Sequence, residues 1–237
     1  MIKGLLVMDV DSTLIMEEAI DLLAIEAGVG KQVAALTDAA MRGELDFEEA
    51  LKKRVALLKG LPVTILTDIL SSIHFTPGAY ELIKECHKRQ MKVGLVSGGF
   101  HETIDILAKQ LQVDYVKANR LGVKGGFLTG EVEGEIVTKE VKKIKLKEWA
   151  SENHLDLSQT IAMGDGANDL PMIKSAGVGI AFCAKPIVRE EAAYQINEKI
   201  CLRYLILLMQ MKTRPLLSLV FRLRILRVLF ERVLICF

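Results

Sequence analysis

Paired cysteines are the first thing this 237-residue chain lacks. Cys86, Cys183, Cys201 and Cys236 lie far apart and form no CxxC pair. That spacing offers neither a disulfide framework nor a zinc site, and it suits a reducing, cytoplasmic setting. A charge excess is missing too. Lys and Arg number 31 against 30 Asp and Glu, a net charge of +1. From Ile200 onward seven basic residues face Glu231 alone, a balance of +6 that leaves the first 199 residues at −5. An acidic body of that kind has no general affinity for nucleic acid. No apolar run is long enough to cross a bilayer. The N-terminal run stops at Asp9, short of a signal peptide's core. In the C-terminal stretch Arg222, Arg224, Arg227, Glu231 and Arg232 interrupt the apolar run, against the roughly 20 apolar residues that a span needs. Those charges do not gather on one helical face, which speaks against a membrane-surface anchor.

What is present is ample apolar content, 51% of residues, for a folded domain with a smaller insert. Short apolar runs at 5–8 (LLVM), 92–96 (KVGLV), 160–163 (TIAM) and 178–182 (VGIAF) end at polar or glycine-rich turns, as buried parallel strands do. Helical patterns at 78–89, 101–111, 139–150 and 169–175 lie between them. Alternation of this kind predicts an α/β fold with a doubly wound parallel sheet. Residues 16–74 break the rhythm with four helical patterns and no strand, punctuated by glycines at 28, 43 and 60. They read as a small helical cap domain inserted after the first strand, with residues 1–15 and 75–200 forming the core. Polar and apolar residues alternate around KGG in 119–136, the mark of a β-hairpin flap. Residues 201–237 form an atypical hydrophobic, basic tail.

Three of the four strands end in reactive residues: Asp9 and Asp11 after the first, Ser97-Gly98-Gly99 after the second, and Gly164-Asp165-Gly166-Ala167-Asn168-Asp169 after the third. Each has an ordinary reading by itself. An Asp before Ser-Thr caps a helix, SGG makes a turn, and GDGAND resembles an acidic loop or half a calcium site. Together they converge on the edge of the sheet where open α/β folds bind ligands. Carboxylates crowded there repel one another unless a cation holds them.

DVDST followed by Leu14, the strand ending in Ser97, a lysine at the start of a later helix, and GDGAND resemble, in order and spacing, the four motifs of the haloacid dehalogenase superfamily of phosphotransferases. The likeness runs over roughly residues 1–198. "VSGGF", "ANRL", "LTGEVEGE", "GDGANDLPM" and "IAFCAKP" are similar to the phosphoserine phosphatases within it. The resemblance implies a Mg²⁺-dependent hydrolase that releases serine from O-phosphoserine, the last step of serine biosynthesis, through an aspartyl-phosphate. Asp9 would be the nucleophile and Asp11 the general acid and base. Asp9, the Asp11 carbonyl and Asp165 would hold Mg²⁺, with Asp169 behind them. Ser97, Gly98 and a lysine would hold the phosphoryl group. Spacing selects Lys142, with Lys139 and Lys143 as its rivals, and Asn168 would contact substrate or orient phosphate. In the insert, Glu18 would pair with the substrate's ammonium, Arg54 would grip its carboxylate, and Phe47 would serve as an apolar lid. Glu17, beside Glu18, is the competing register.

Two other readings share these residues: a phosphatase or phosphotransferase for another small phosphorylated metabolite, and a non-catalytic phosphoamino-acid-binding module. The second leaves the full set of Asp9, Asp11, Lys142 and Asp165 without a use. The C-terminal tail departs from the family's acidic last helix, and an altered reading frame accounts for it better than a partner-binding tail does.

Overall fold

The computed structural model describes residues 2–41 and 44–198. Gly43 and the tail from Cys201 onward lie outside the described residues. Seven strands form one sheet: β1 (Gly4–Met8), β2 (Met91–Phe100), β3 (Tyr115–Lys124), β4 (Phe127–Glu133), β5 (Thr160–Gly164), β6 (Val178–Phe182) and β7 (Tyr194–Ile196), in the order β4-β3-β2-β1-β5-β6-β7. All neighbours run parallel except the β3–β4 hairpin. Helices α1 (Ala19–Glu26), α2 (Gly30–Met41), α3 (Phe47–Ala56) and α4 (Ile65–Asp68) lie between β1 and β2 in sequence. They are followed by α5 (Ala79–Lys88), α6 (His101–Leu111), α7 (Lys139–Glu152), α8 (Leu170–Ser175) and α9 (Pro186–Glu191). No helix among the described residues is long and apolar enough to cross a membrane.

Central strand β1 is buried at all five positions, so its side chains feed both faces of the sheet. Leu6 and Met8 join Leu82, Ile83, Ile104 and Leu107 from α5 and α6. Leu5 and Val7 join Val141, Leu146 and Trp149 from α7 and Met172 and Ile173 from α8. A period of 2 in the strand thus meets a period of 3.6 in the helices on each side. A third cluster unites Ile20, Leu23, Leu51, Val55, Leu58 and Ile65 of the helical segment with Phe100, Leu121 and Leu128. The helices of 19–68 therefore share their core with the hairpin and the end of β2.

Backbone bonds reinforce that union. Gly60 N–H donates to Leu128 O at 2.8 Å, Leu128 N–H to Leu61 O at 2.9 Å and Val63 N–H to Gly126 O at 2.9 Å. The two segments that enter and leave the helices are paired as well. Met16 N–H donates to His74 O, and Thr76 N–H to Leu14 O, both at 2.9 Å. Glu17 accepts from His74 N–H at 2.9 Å and meets its Nδ1 at 2.8 Å.

Three features differ from the sequence reading. Ser97-Gly98-Gly99 lies within β2, because the strand bulges and then resumes at Phe100. Residues 115–119 pair in parallel with β2 before the chain turns into the hairpin, so β3 is a core strand as well as a flap arm. Strand β7 is a three-residue edge with two exposed side chains, and it carries no apolar run to mark it.

Glycine at 94 is dictated by packing. A Cβ there would stand 2.5 Å from Trp149 Cζ3, and the Trp149 ring stacks on Tyr115 at 5.3 Å between centroids. Gly94→Ala should cost about 1–3 kcal/mol of stability through overpacking. A fall in the urea midpoint at unchanged slope checks it.

Candidate active site

Asp9 is the first residue past β1, and its N–H still pairs with Met163 O on β5 at 2.9 Å. The chain then coils tightly. Thr13, Leu14 and Ile15 all donate to Val10 O, and Ser12 takes the left-handed conformation at φ 56°. The coil turns Asp11 back toward β2. One oxygen of Asp11 accepts Ala19 N–H at the start of α1 (2.9 Å), and the other accepts Ser97 Oγ–H (3.2 Å). Gly99 completes this contact, since a Cβ there would lie 2.8 Å from Asp11 Oδ2 and 3.1 Å from Ser97 Oγ.

Lys142 sits beneath the site with no solvent exposure, one turn into α7. Thr138 caps that helix, its side chain accepting from Val141 N–H. Lys142 Nζ lies 2.9 Å from Asp9 Oδ1 and 2.7 Å from Asp169 Oδ1. Val10 N–H also donates to Asp9 Oδ1 at 2.8 Å, and Gly166 N–H to Asp169 Oδ2 at 3.0 Å. Of the three candidate lysines only Lys142 makes this double pair. Lys139 is exposed at the rim beside Glu140, and Lys143 is half-buried away from the cavity lining.

Burial lifts the Asp9 carboxyl well above the ordinary range, with Asp169 adding to the effect and Lys142 opposing it. Asp11 is raised as well, chiefly by burial. Asp165 goes up to about 6 through burial and the charge of Asp169. Lys142 is held protonated by its two carboxylates against the cost of burial. Carboxylate oxygens of Asp9, Asp165 and Asp169 lie within 4.8 Å of one another. Both oxygens of Asp169 are engaged, Oδ1 by Lys142 and Oδ2 by the Gly166 N–H, whereas Lys142 and the Val10 N–H share the one oxygen Oδ1 of Asp9, so Asp9 and Asp165 are the pair better placed for a cation. An all-oxygen set with two carboxylates fits a hard divalent ion.

Above this floor opens a cavity of about 1210 Å³ lined by Asp9, Asp11, Glu18, Phe47, Arg54, Gly98, Asp165 and Asn168, with Ser97 and Lys142 buried in its wall. Sequence-selected residues from five separate segments thus meet at one place. Glu17 turns away to His74, so Glu18 is the acid that faces the cavity. Ser12 Oγ–H donates to Glu18 Oε1 at 2.9 Å. Surrounding protein, then the charges of Asp11 and Asp165, lifts the Glu18 carboxyl to about 7. Burial lowers the pKa of Arg54, while Asp21, Glu18 and Asp11 oppose that shift. Its Nε–H is anchored on Ala50 O at 3.2 Å. The Phe47 ring lies over Gly98, with Cζ 3.4 Å from where a Cβ would stand.

The sequence reading missed Ser12, Asp21, Lys185 and Asn119. The first three face or touch this cavity, and Asn119 is buried behind Gly98. Asn119 falls in the "ANRL" motif, which was the only signal available for it.

Removing the buried ammonium should expose the repulsion it offsets. Lys142→Met should cost about 3–5 kcal/mol at pH 8 without divalent metal, because Asp9 and Asp169 are left facing each other. A folded-state carboxyl pKa raised as Asp9's is means that protonation favours the folded state. The penalty should therefore shrink as the pH falls toward 5. Urea titrations at the two pH values check both sign and size.

Residues 6–174 match the family model of haloacid dehalogenase-like hydrolases. The chain is 70% identical over 197 residues to the phosphoserine phosphatase of Streptococcus thermophilus, covering 83% of this chain and 92% of that one. Among solved structures it is similar to a phospho-aspartyl intermediate analogue of phosphoserine phosphatase, with a TM-score of 0.78, 46% identity, and coverage of 84% of this chain and 95% of that one. It is likewise similar to a substrate-bound phosphoserine phosphatase complex, with a TM-score of 0.79, 46% identity, and coverage of 83% and 94%. A buried Asp–Lys–Asp floor at the ends of β1 and β5, the match over residues 6–174 and relatives this close lead to one assignment: the chain belongs to the haloacid dehalogenase-like hydrolase family, in its phosphoserine phosphatase branch.

Proposed function

We propose that this chain hydrolyses O-phosphoserine to serine and phosphate, the closing step of serine biosynthesis, in the cytoplasm. One observation carries the reading. Above the paired acids Asp9 and Asp11 the cavity wall carries Glu18 and Arg54, an acid and a guanidinium that complement an amino acid whose side chain bears the phosphate. The names of its close relatives support the same substrate.

In the first step a carboxylate oxygen of Asp9 attacks phosphorus and the bond from phosphorus to the serine oxygen breaks. The departing electron pair takes the proton that Asp11 carries, and burial raises the Asp11 carboxyl above its ordinary range, which favours the protonated form. In the second step Asp11 accepts a proton from a water molecule whose oxygen attacks the phosphoenzyme. The Asp9–phosphorus bond breaks and phosphate leaves. Ser97 Oγ–H, the Gly98 N–H and the Lys142 ammonium neutralise the phosphoryl oxygens. Asp9, the Asp11 carbonyl and Asp165 would hold Mg²⁺. Bound there, the ion supplies positive charge to the phosphoryl group. Asn168 orients the phosphate, and residues 16–74 act as the cap, with Phe47 covering Gly98 against water.

A panel of phosphorylated metabolites assayed with Mg²⁺ tests the assignment. Phosphoserine should be the preferred substrate, excess chelator should abolish turnover, and Mg²⁺ should restore it. Asp9→Asn should bind phosphoserine without turning it over. A different preferred ester would replace the substrate. Full activity in chelator after exhaustive dialysis would remove Asp9 and Asp165 as ligands.

Recognition of the amino-acid end has its own signature. Arg54→Ala should lower kcat/KM for phosphoserine by about 10-fold to 150-fold, the worth of a charge-assisted contact of roughly 1.5–3 kcal/mol. A phosphate ester without a carboxylate should be nearly unaffected. Glu18, raised to about 7, is neutral below that pH and charged above it. Preference for phosphoserine over an ester without an ammonium should therefore grow as the pH rises through about 7. Glu18→Gln should flatten that rise.

A further inference from the structure

Asn119 is fully buried although its side chain is polar, and both ends of its amide are engaged. Its Nδ2–H donates to Gly98 O at 2.8 Å, and its Oδ1 accepts Val137 N–H at 2.8 Å. The need for it arises in the sheet. Val96 pairs with Lys117 and Phe100 with Asn119, so the three residues Ser97-Gly98-Gly99 stand opposite the single Ala118. A bulge of that size takes backbone groups out of the ladder, and a buried backbone group without a partner is costly. Side chains replace the lost bonds. Gly99 N–H donates to Ser97 Oγ at 2.9 Å, Ala118 N–H to His101 Nε2 at 3.1 Å, and Gly98 O is met by Asn119.

Of these replacements Ser97 Oγ reaches Asp11, and Asn119 reaches the approach to α7. Val137 precedes Thr138, the cap of α7, and Lys142 follows one turn later. One amide therefore joins the bulge that carries Ser97 and Gly98 to the start of the helix that carries the buried lysine. Its orientation is fixed by chemistry: a carbonyl on one side demands a donor, and an N–H on the other demands an acceptor.

Resting on the phosphatase reading above, we infer that Asn119 is a positioning residue for phosphoryl transfer, setting the Gly98 peptide and the Lys142 ammonium at a common distance from the phosphate. Misplacement of either by about 1 Å costs on the order of 100-fold in rate. Because both contacts serve the phosphate, the effect is blind to the rest of the substrate, which separates Asn119 from Glu18 and Arg54.

Two variants test this in the full chain, with folding followed by circular dichroism. Asn119→Ala should lower kcat/KM at least tenfold for phosphoserine and for p-nitrophenyl phosphate alike. It should also raise the inhibition constant of inorganic phosphate by a similar factor. In Asn119→Asp the introduced carboxyl can donate to Gly98 O only when neutral. Its kcat/KM relative to the wild type should therefore fall as the pH rises from about 5.5 to about 8.5. A folded Asn119→Ala with both kcat/KM values and the phosphate constant within twofold of wild type overturns the inference. So does a loss confined to phosphoserine, or failure of both variants to fold, which would make Asn119 a fold element only. Should the wild type hydrolyse neither ester, the phosphatase reading fails by itself. Calorimetric binding of inorganic phosphate with Mg²⁺ then decides Asn119 by the same tenfold criterion.

Discussion

One buried ammonium between two carboxylates is the constraint from which the rest of this molecule follows. Asp9 follows β1 and Asp169 closes the turn between β5 and α8, and both are buried. Two acids so placed cannot both stay charged without a partner. Lys142 meets both and is itself fully buried, so its charge is unscreened and its position is fixed by three elements at once. That explains why α7 must begin where it does and why Thr138 caps it. The same ammonium lies against Asp9, which lines the cavity, so a lysine that holds the fold together also stands next to the proposed nucleophile.

The outer part of the site obeys different physics. Glu18 and Arg54 stand on the walls of a wide cavity, within reach of solvent, and the carboxyl at 18 is raised by walls and neighbouring acids. Under the reading proposed above, an ammonium brought beside Glu18 would gain an acidic partner there. Ser12 holds Glu18 from below, and Glu17 is drawn off to His74. Two adjacent glutamates thus divide between the paired connecting segments and the cavity.

Much of this was legible in sequence because buried parallel strands read as apolar runs and their reactive residues follow directly. Asp9, Ser97 and Asp165 were each ambiguous alone and became legible because all three follow such runs, at one edge of the expected sheet. Lys142 did not yield to pattern alone, since three lysines share one helical stretch and burial, a property of the packed sheet, selects among them. The parallel half of β3 was hidden because Tyr115, Val116 and Lys117 are half-buried and carry no clean alternation. Asn119 was invisible as a chemical group for a stronger reason. Its task arises from a register shift between β2 and β3, and long-range register leaves no mark on the residues beside it.

The backbone bonds between 60–63 and the hairpin bind two insertions of the core into a single part. Gly60, Leu61 and Val63 pair with Gly126 and Leu128, and Gly130 packs so closely on Ala56 and Lys59 that no side chain fits there. Lengthening either loop alone would break the seam. The helical insert and the hairpin are thus one inheritable module split across the sequence, and exchanging the helices of 19–68 for another set would require importing the matching hairpin with them.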